Sequence, residues 1–168
     1  VMPWRLSHRF DPRALPLADR HYNRQKIGSP QFCPPGRCLV LLTDDASALW
    51  VTSWPFAEYT KHRWAGAWVN SLFRREAGPL ASELIRSAVA ATRAFFGEPP
   101  ELGMVTFINR DKTRPKMDAG YCYLRAGFVA DGKTEGGLTA VRLPPEAMPP
   151  PEHARPMWSD QLDWLVSA

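Results

Sequence analysis

Apolar positions come in short alternating bursts along most of this chain, and one stretch carries a helical period long enough to organise the rest. Leu84, Ala88, Ala91 and Phe95 recur at spacings of three and four, with Glu83, Arg86 and Arg93 between them. A helix starting near Ala81 or Ser82, with Ser82 as its N-cap, would therefore press one apolar stripe onto a sheet. Strand-like runs bracket it. Trp68 to Arg74 alternates Trp68, Asn70 and Leu72 with Val69, Ser71 and Phe73 and leads into the Gly78-Pro79 turn. Gly97-Glu98-Pro99-Pro100 stops the helix, Gly103 to Ile108 reads as a buried strand, and a short helix from Gly120 to Arg125 closes on Gly127-Phe128.

The flanks add to the sheet. Cys38 to Thr43 and Ala48 to Ser53 are β-prone runs joined by Asp44-Asp45-Ala46-Ser47, a hairpin signal. Val129-Ala130 and Leu138 to Leu143 predict a second hairpin. Before them, residues 1–13 read as a strand or extended arm, Leu15 to Tyr22 as a helix broken by Gly28-Ser29-Pro30, and Gln31 to Arg37 as a rigid proline-rich loop. After Pro144-Pro145 and Pro149-Pro150-Pro151, the tail carries Trp158, Leu162, Trp164, Leu165 and Val166, enough apolar surface to dock as a short helix. The pattern predicts an α/β (α+β) fold, with a mixed, mostly antiparallel sheet flanked by helices. One domain spans 1–168: a core over residues 14–143 and a proline-rich extension, 144–168, docked on it.

Composition narrows the class. With 168 residues and 45% hydrophobic content the chain can bury one sizeable core. No apolar run approaches the roughly 18 residues of a membrane helix, and Val1-Met2-Pro3-Trp4-Arg5 lacks the apolar core of a signal peptide. No membrane partner is expected, and the cytoplasm is the expected compartment. Three cysteines, Cys33, Cys38 and Cys122, are an odd number that suits a reducing environment, and no second pair completes a zinc set, so no metal is expected. The net charge of +4 becomes informative through clustering. Arg20, Arg24 and Lys26 lie together, as do Lys61, His62 and Arg63, and as do Arg110, Lys112, Arg114 and Lys116; on one face they would hold a nucleic-acid backbone.

Two places offer chemistry. The turn before the long helix leaves the backbone N–H groups of Leu80, Ala81, Ser82 and Glu83 pointing out of the helix start, where a phosphate can be held. His21-Tyr22-Asn23-Arg24 gathers an imidazole, a phenol, an amide and a guanidinium into four residues, and His21 is the candidate general base for an amino group. The plain alternative is a packing histidine beside a core tyrosine. Tyr59, Trp64 and Trp68 are aromatics on which a base taken out of a duplex could stack.

Strand, helix, strand, short helix and the ending Tyr123-Leu124-Arg125-Ala126-Gly127-Phe128 resemble the central block of GNAT acyltransferases and their Tyr-x-x-x-Gly-Phe ending. His21-Tyr22-Asn23-Arg24, with Leu72 to Ser82, Val105-Thr106-Phe107-Ile108-Asn109 and Gly120-Tyr121-Cys122-Tyr123, is similar to the Mom family of phage DNA-modification proteins within that superfamily. The resemblance covers roughly residues 20–130. It implies a GNAT-like domain, acetyl-coenzyme A or a related acyl donor, and transfer of a small acyl or acylamino-type group to the N6 amino group of adenine in DNA, an anti-restriction function. Carried over by it are His21, Tyr22, Ser82, Tyr123 and Asn109, with Tyr123 donating a proton to the departing thiolate and the group expected to meet across one cleft. Three departures stand out. Asn23 replaces a serine, and Asn109 replaces an aspartate; if the family's chemistry needs that aspartate, this chain does something altered or uses Asp111 or Asp118 instead. The phosphate loop reads Arg75-Glu76-Ala77-Gly78-Pro79-Leu80, with leucine at its last place and a proline that removes one N–H. A conventional acetyl-coenzyme A N-acetyltransferase of a small amine or protein, and a non-catalytic GNAT-fold binding module whose donor turn is filled by side chains, are the alternatives.

Overall fold

The computed structural model describes residues 1–21, 24, 26–109 and 120–160. Its centre is one seven-stranded mixed sheet in the order β1-β2-β3-β4-β5-β7-β6. The strands are β1 (Trp4–Leu6), β2 (Arg37–Thr43), β3 (Ala48–Trp54), β4 (Trp68–Arg75), β5 (Met104–Ile108), β6 (Val129–Lys133) and β7 (Thr139–Leu143). Every pairing is antiparallel except β4 with β5. Three α-helices accompany the sheet among the described residues: α1 (Leu15–Asp19), α2 (Ala81–Phe96) and α3 (Tyr121–Arg125). The fold is α+β, and among the described residues no helix is long and apolar enough to cross a membrane.

Both hairpins form where turn chemistry and alternation place them. In the β2–β3 turn the Thr43 hydroxyl accepts from the N–H groups of Ser47 and Ala48, and Asp45 accepts from the Ser47 N–H, so side chains satisfy donors the ladder leaves open. The α2 helix lays Leu84, Ile85, Ala88 and Val89 on the Leu39, Leu41, Trp50, Trp68 and Met104 face of the sheet. On the opposite face, Leu17 and Ala18 of α1 and the Phe32-Cys33 segment cover Val40, Leu42, Leu49, Val51 and Leu72. A smaller cluster of Trp64, Ala67, Val105 and Ala140 seals the far side of β5.

Several local expectations change. Ser82 is not the cap of α2: Leu80 occupies that position, with no side-chain cap, because the extended backbone at Leu80 (φ −56°, ψ 143°) places the cap two residues earlier. Phe95 leaves the apolar stripe and is 53% exposed, since the buried face runs from Ile85 through Val89 and Thr92 to Phe96, which packs on Trp54 and Trp68. The first helix stops at Asp19, so His21 lies beyond it rather than within it. Trp64 and Trp68 are 2% and 0% exposed, core residues that cannot receive a flipped base, whereas Tyr59 is 78% exposed.

The core also reaches below residue 14. Trp4 is fully buried in the α2-side core, and its indole N–H donates to the Leu84 carbonyl at 2.9 Å. The proline-rich extension runs back along β1: Arg155 exchanges backbone bonds with Leu6 (2.8 Å) and Trp4 (2.9 Å), and the Arg5 guanidinium lies 3.8 Å over the Trp158 ring. Asp44 holds both Arg5 (2.8 Å) and Arg155 (2.5 Å), which fixes the extension over the sheet edge. Residues 161–168, including Leu162 and Trp164, lie outside the described residues.

Candidate functional site

The site begins with one extra residue in β4. Across the β3–β4 pair, Val51 faces Leu72 while the next residue, Thr52, faces Asn70, so Ser71 has no opposite number and the strand bulges there. Asn70 fills the bulge. Its amide donates to the carbonyls of Val51 (3.0 Å) and Leu72 (2.9 Å), and its side-chain oxygen accepts from the Tyr123 hydroxyl. On its other side β4 pairs with β5 only at Trp68–Met104 and Val69–Val105, after which the two strands part. Thr106 Oγ1 donates to the Asn70 carbonyl at 2.9 Å across the start of the gap.

A cavity of about 600 Å³ occupies that gap. Asn70, Ser71, Leu72 and Phe73 of β4 and Thr106, Phe107 and Ile108 of β5 form its sides. Tyr123 of α3 lies at one end, while His21 and the 31–35 loop line the other. The short helix sits close enough to contribute because Gly120 starts it in a left-handed conformation (φ +73°); a Cβ there would stand 2.2 Å from Ile108 Cδ1. Tyr123 is 9% exposed, held edge-on by Phe128 (5.3 Å) and Phe73 (6.2 Å). Because Asn70 spends both amide hydrogens on main-chain carbonyls, its oxygen can only accept, which orients the phenol.

His21 is placed by the turn after α1, where its N–H donates to the Ala18 carbonyl at 3.1 Å. Its imidazole is lowered to a pKa of about 4, chiefly by burial and secondly by the Arg74 guanidinium, against the opposing pull of a hydrogen bond to the Phe73 backbone. It is therefore neutral at pH 7. His21 and Tyr123, far apart in sequence, thus line one cavity. Asn109, just past β5, is not among the cavity's lining residues, and Tyr22 lies outside the described residues.

The donor turn is open. Residues 75–80 are exposed, Gly78 takes φ +98°, and Arg75 folds back to hold the Gly78 (3.0 Å) and Pro79 (2.6 Å) carbonyls. Leu80, at 61% exposure, points away from the fold, and Ala81, Ser82 and Glu83 form the first turn of α2 with no side chain capping their N–H groups. That leaves amide donors for an anion.

The basic residues are largely committed to carboxylates. Arg20 pairs with Glu76 through two bonds (2.6 and 2.7 Å), and Arg74 reaches the same carboxylate at 3.1 Å. Arg24 turns inward: with 7% of its side chain exposed it binds Asp19 at 2.8 Å and the carbonyls of Ser29 and Gln31, stapling the loop that rims the cavity. Arg63 shares Asp131 with Arg142 and the Trp64 indole. Lys26 lines the cavity. Arg110, Lys112, Arg114 and Lys116 lie outside the described residues. Among the described residues lining the cavity there is no aspartate or glutamate.

Sequence reasoning passed over Asn70 and Thr106. The available signal was an amide between Trp68 and Leu72 on the core-facing side of a strand, a polar group that burial obliges to find partners. Comparison of the chain with protein-family models, with curated proteins and with solved structures returned no match.

Proposed function

We propose that the chain is a GNAT-type transferase that moves a small acyl or acylamino-type group from an acyl-coenzyme A-like donor to a neutral amino nitrogen of a nucleobase, with N6 of adenine in DNA as the first choice. The observation that carries this reading is the cavity between two parallel strands parted by a bulge, with His21 and Tyr123 on its lining and no described carboxylate. The strand order, with its one parallel pair at the centre, is compatible with the GNAT arrangement.

The residues present suit such a donor. Beyond Val69 and Val105 the two strands no longer pair with each other, so their facing flanks can receive an extended amide-bearing arm, and the uncapped first turn of α2 can receive a pyrophosphate. When bound, the donor supplies an activated acyl group on a thiol leaving group. His21 accepts the proton lost by the attacking nitrogen, and the Tyr123 hydroxyl, which Asn70 orients, would return a proton to the leaving group. The open turn at residues 78–80 counts against the non-catalytic alternative.

The acceptor follows from charge. An alkylammonium with a pKa near roughly 10 needs a carboxylate to hold it and a strong base to deprotonate it. Among the described lining residues there is no carboxylate, and His21, lowered to a pKa of about 4, is a weak base; Arg24 and Lys26 stand beside it instead. A nucleobase amino group is already neutral. The test is mass analysis of nucleosides from DNA of cells expressing the chain, beside acetylation assays on amines with purified protein. A new modified deoxyadenosine, lost with His21→Ala, is expected; unmodified DNA together with rapid amine acetylation sinks the reading in favour of a conventional N-acetyltransferase.

A further inference from the structure

Cys33 and Cys38 stand at the two ends of the Pro34-Pro35-Gly36-Arg37 turn, where the cavity wall joins the start of β2. The turn doubles back on itself. Gly36 adopts φ +101°, and Arg9 clamps the Gly36 carbonyl at 2.7 Å. The Cys38 thiol consequently donates to the Pro34 carbonyl at 3.5 Å, one residue from Cys33, close enough that each thiol shifts the acidity of the other. Cys33 is 8% exposed and packs in the cluster of Phe32, Val40 and Leu17, while Cys38 is half-buried at the edge of that cluster. The remaining cysteine, Cys122, is on α3.

We propose that Cys33 and Cys38 are a reversible dithiol–disulfide pair, a modification site for small-molecule disulfides such as oxidised glutathione, independent of the transferase reading. In the first step the Cys38 thiolate attacks one sulfur of the small disulfide, forming a mixed disulfide and expelling one thiolate. In the second, Cys33 gives up its proton to solvent and attacks Cys38 Sγ, expelling the second thiolate. Two thiols are oxidised, one disulfide is reduced to two thiols, and the protein gains one S–S bond.

The order of attack follows from surroundings. Cys38 is the more acidic thiol because the neighbouring Cys33 thiol and the Arg9 guanidinium favour its thiolate, and it is the more exposed of the two. Cys33 is held protonated by its neighbour Cys38 and by burial, so it acts second, as the resolving thiol. Closing the bridge ties Cys33 and the adjoining Pro34-Pro35 wall to β2. It also competes with the bond by which Gln31 Oε1 holds the Cys33 N–H at 2.5 Å. The rim of the cavity would thus differ between the reduced and oxidised chain.

Trypsin provides a direct readout because Arg37 lies between the two cysteines. The full chain is equilibrated with mixtures of oxidised and reduced glutathione, trapped with iodoacetamide and digested. Cleavage after Lys26, Arg37 and Lys61 releases peptides 27–37 and 38–61, separate if the thiols were reduced and joined if they were bridged. Expected is a joined pair that dithiothreitol separates, formed while Cys122 stays open to alkylation, and glutathionylation of Cys33 in Cys38→Ser at least about tenfold slower than that of Cys38 in Cys33→Ser. Stable mixed disulfides on Cys33 or Cys38 without a joined pair, or equal rates in the two single variants, overturn the proposal.

Discussion

Burying an imidazole beside a guanidinium, as at His21, sets protonation against folding. Its pKa is about 4 in the folded chain against 6.5 for the free side chain, so between those values the unfolded chain binds the extra proton. Stability is therefore intact above about pH 6.5 and falls as the pH drops toward 4, by at most about 3 kcal/mol from this residue. His8, whose pKa is also lowered by burial, adds to the same acid limb. Urea midpoints measured across that range should show His21→Gln losing less stability on acidification than the parent chain. A parent profile flat from pH 7 to pH 4 would mean that the imidazole is not buried in solution. The same shift bears on rate: proposed turnover should show no fall near pH 6.5, and His21→Ala should lower it by about 10²-fold with folding retained.

Asn70 transmits the bulge to the chemistry, and its substitutions separate two effects at the level of the strand. Asn70→Leu strands the Val51 and Leu72 carbonyls and the Tyr123 hydroxyl, which should cost about 2–5 kcal/mol in denaturant unfolding. Tyr123→Phe removes one bond only, so it should cost about 1–2 kcal/mol while depressing proposed activity far more than that loss of stability explains. Equal effects of both variants on stability would show that the amide network is not shared. The elements themselves were legible in the chain because each carries a local signal: the period of α2, the two hairpin turns, the Gly-Pro punctuation before α2. The bulge was not, since Ser71 keeps perfect alternation and only the Val51–Leu72 register reveals it as surplus. Nor was the inward turn of Arg24, because its partners Asp19, Ser29 and Gln31 are set by a loop whose path the local pattern does not encode. Phe95 failed for a different reason: the stripe was real, but the sheet ends beneath Phe96.

At the scale of the molecule, ion pairing sets how many phosphate contacts each described basic group can add. Arg20 and Arg63 face Glu76 and Asp131, so replacing either with alanine should change the salt slope of DNA binding by less than about one unit. Replacing Lys112, Arg114 and Lys116 together should lower it by roughly two to three, as read by fluorescence anisotropy over a salt series. The reverse ranking would move the DNA path to the face of the paired arginines. A further consequence belongs to the sheet as a whole. Where β4 and β5 part, each strand has an unzipped flank in the middle of the molecule, so two edges face each other across the gap instead of facing solvent. Amides on those flanks should exchange with deuterated water faster than their central position suggests, and slow down only when an extended molecule is laid between them. The parting of two half-sheets can thus be followed one amide at a time, by the order in which its flanks gain protection.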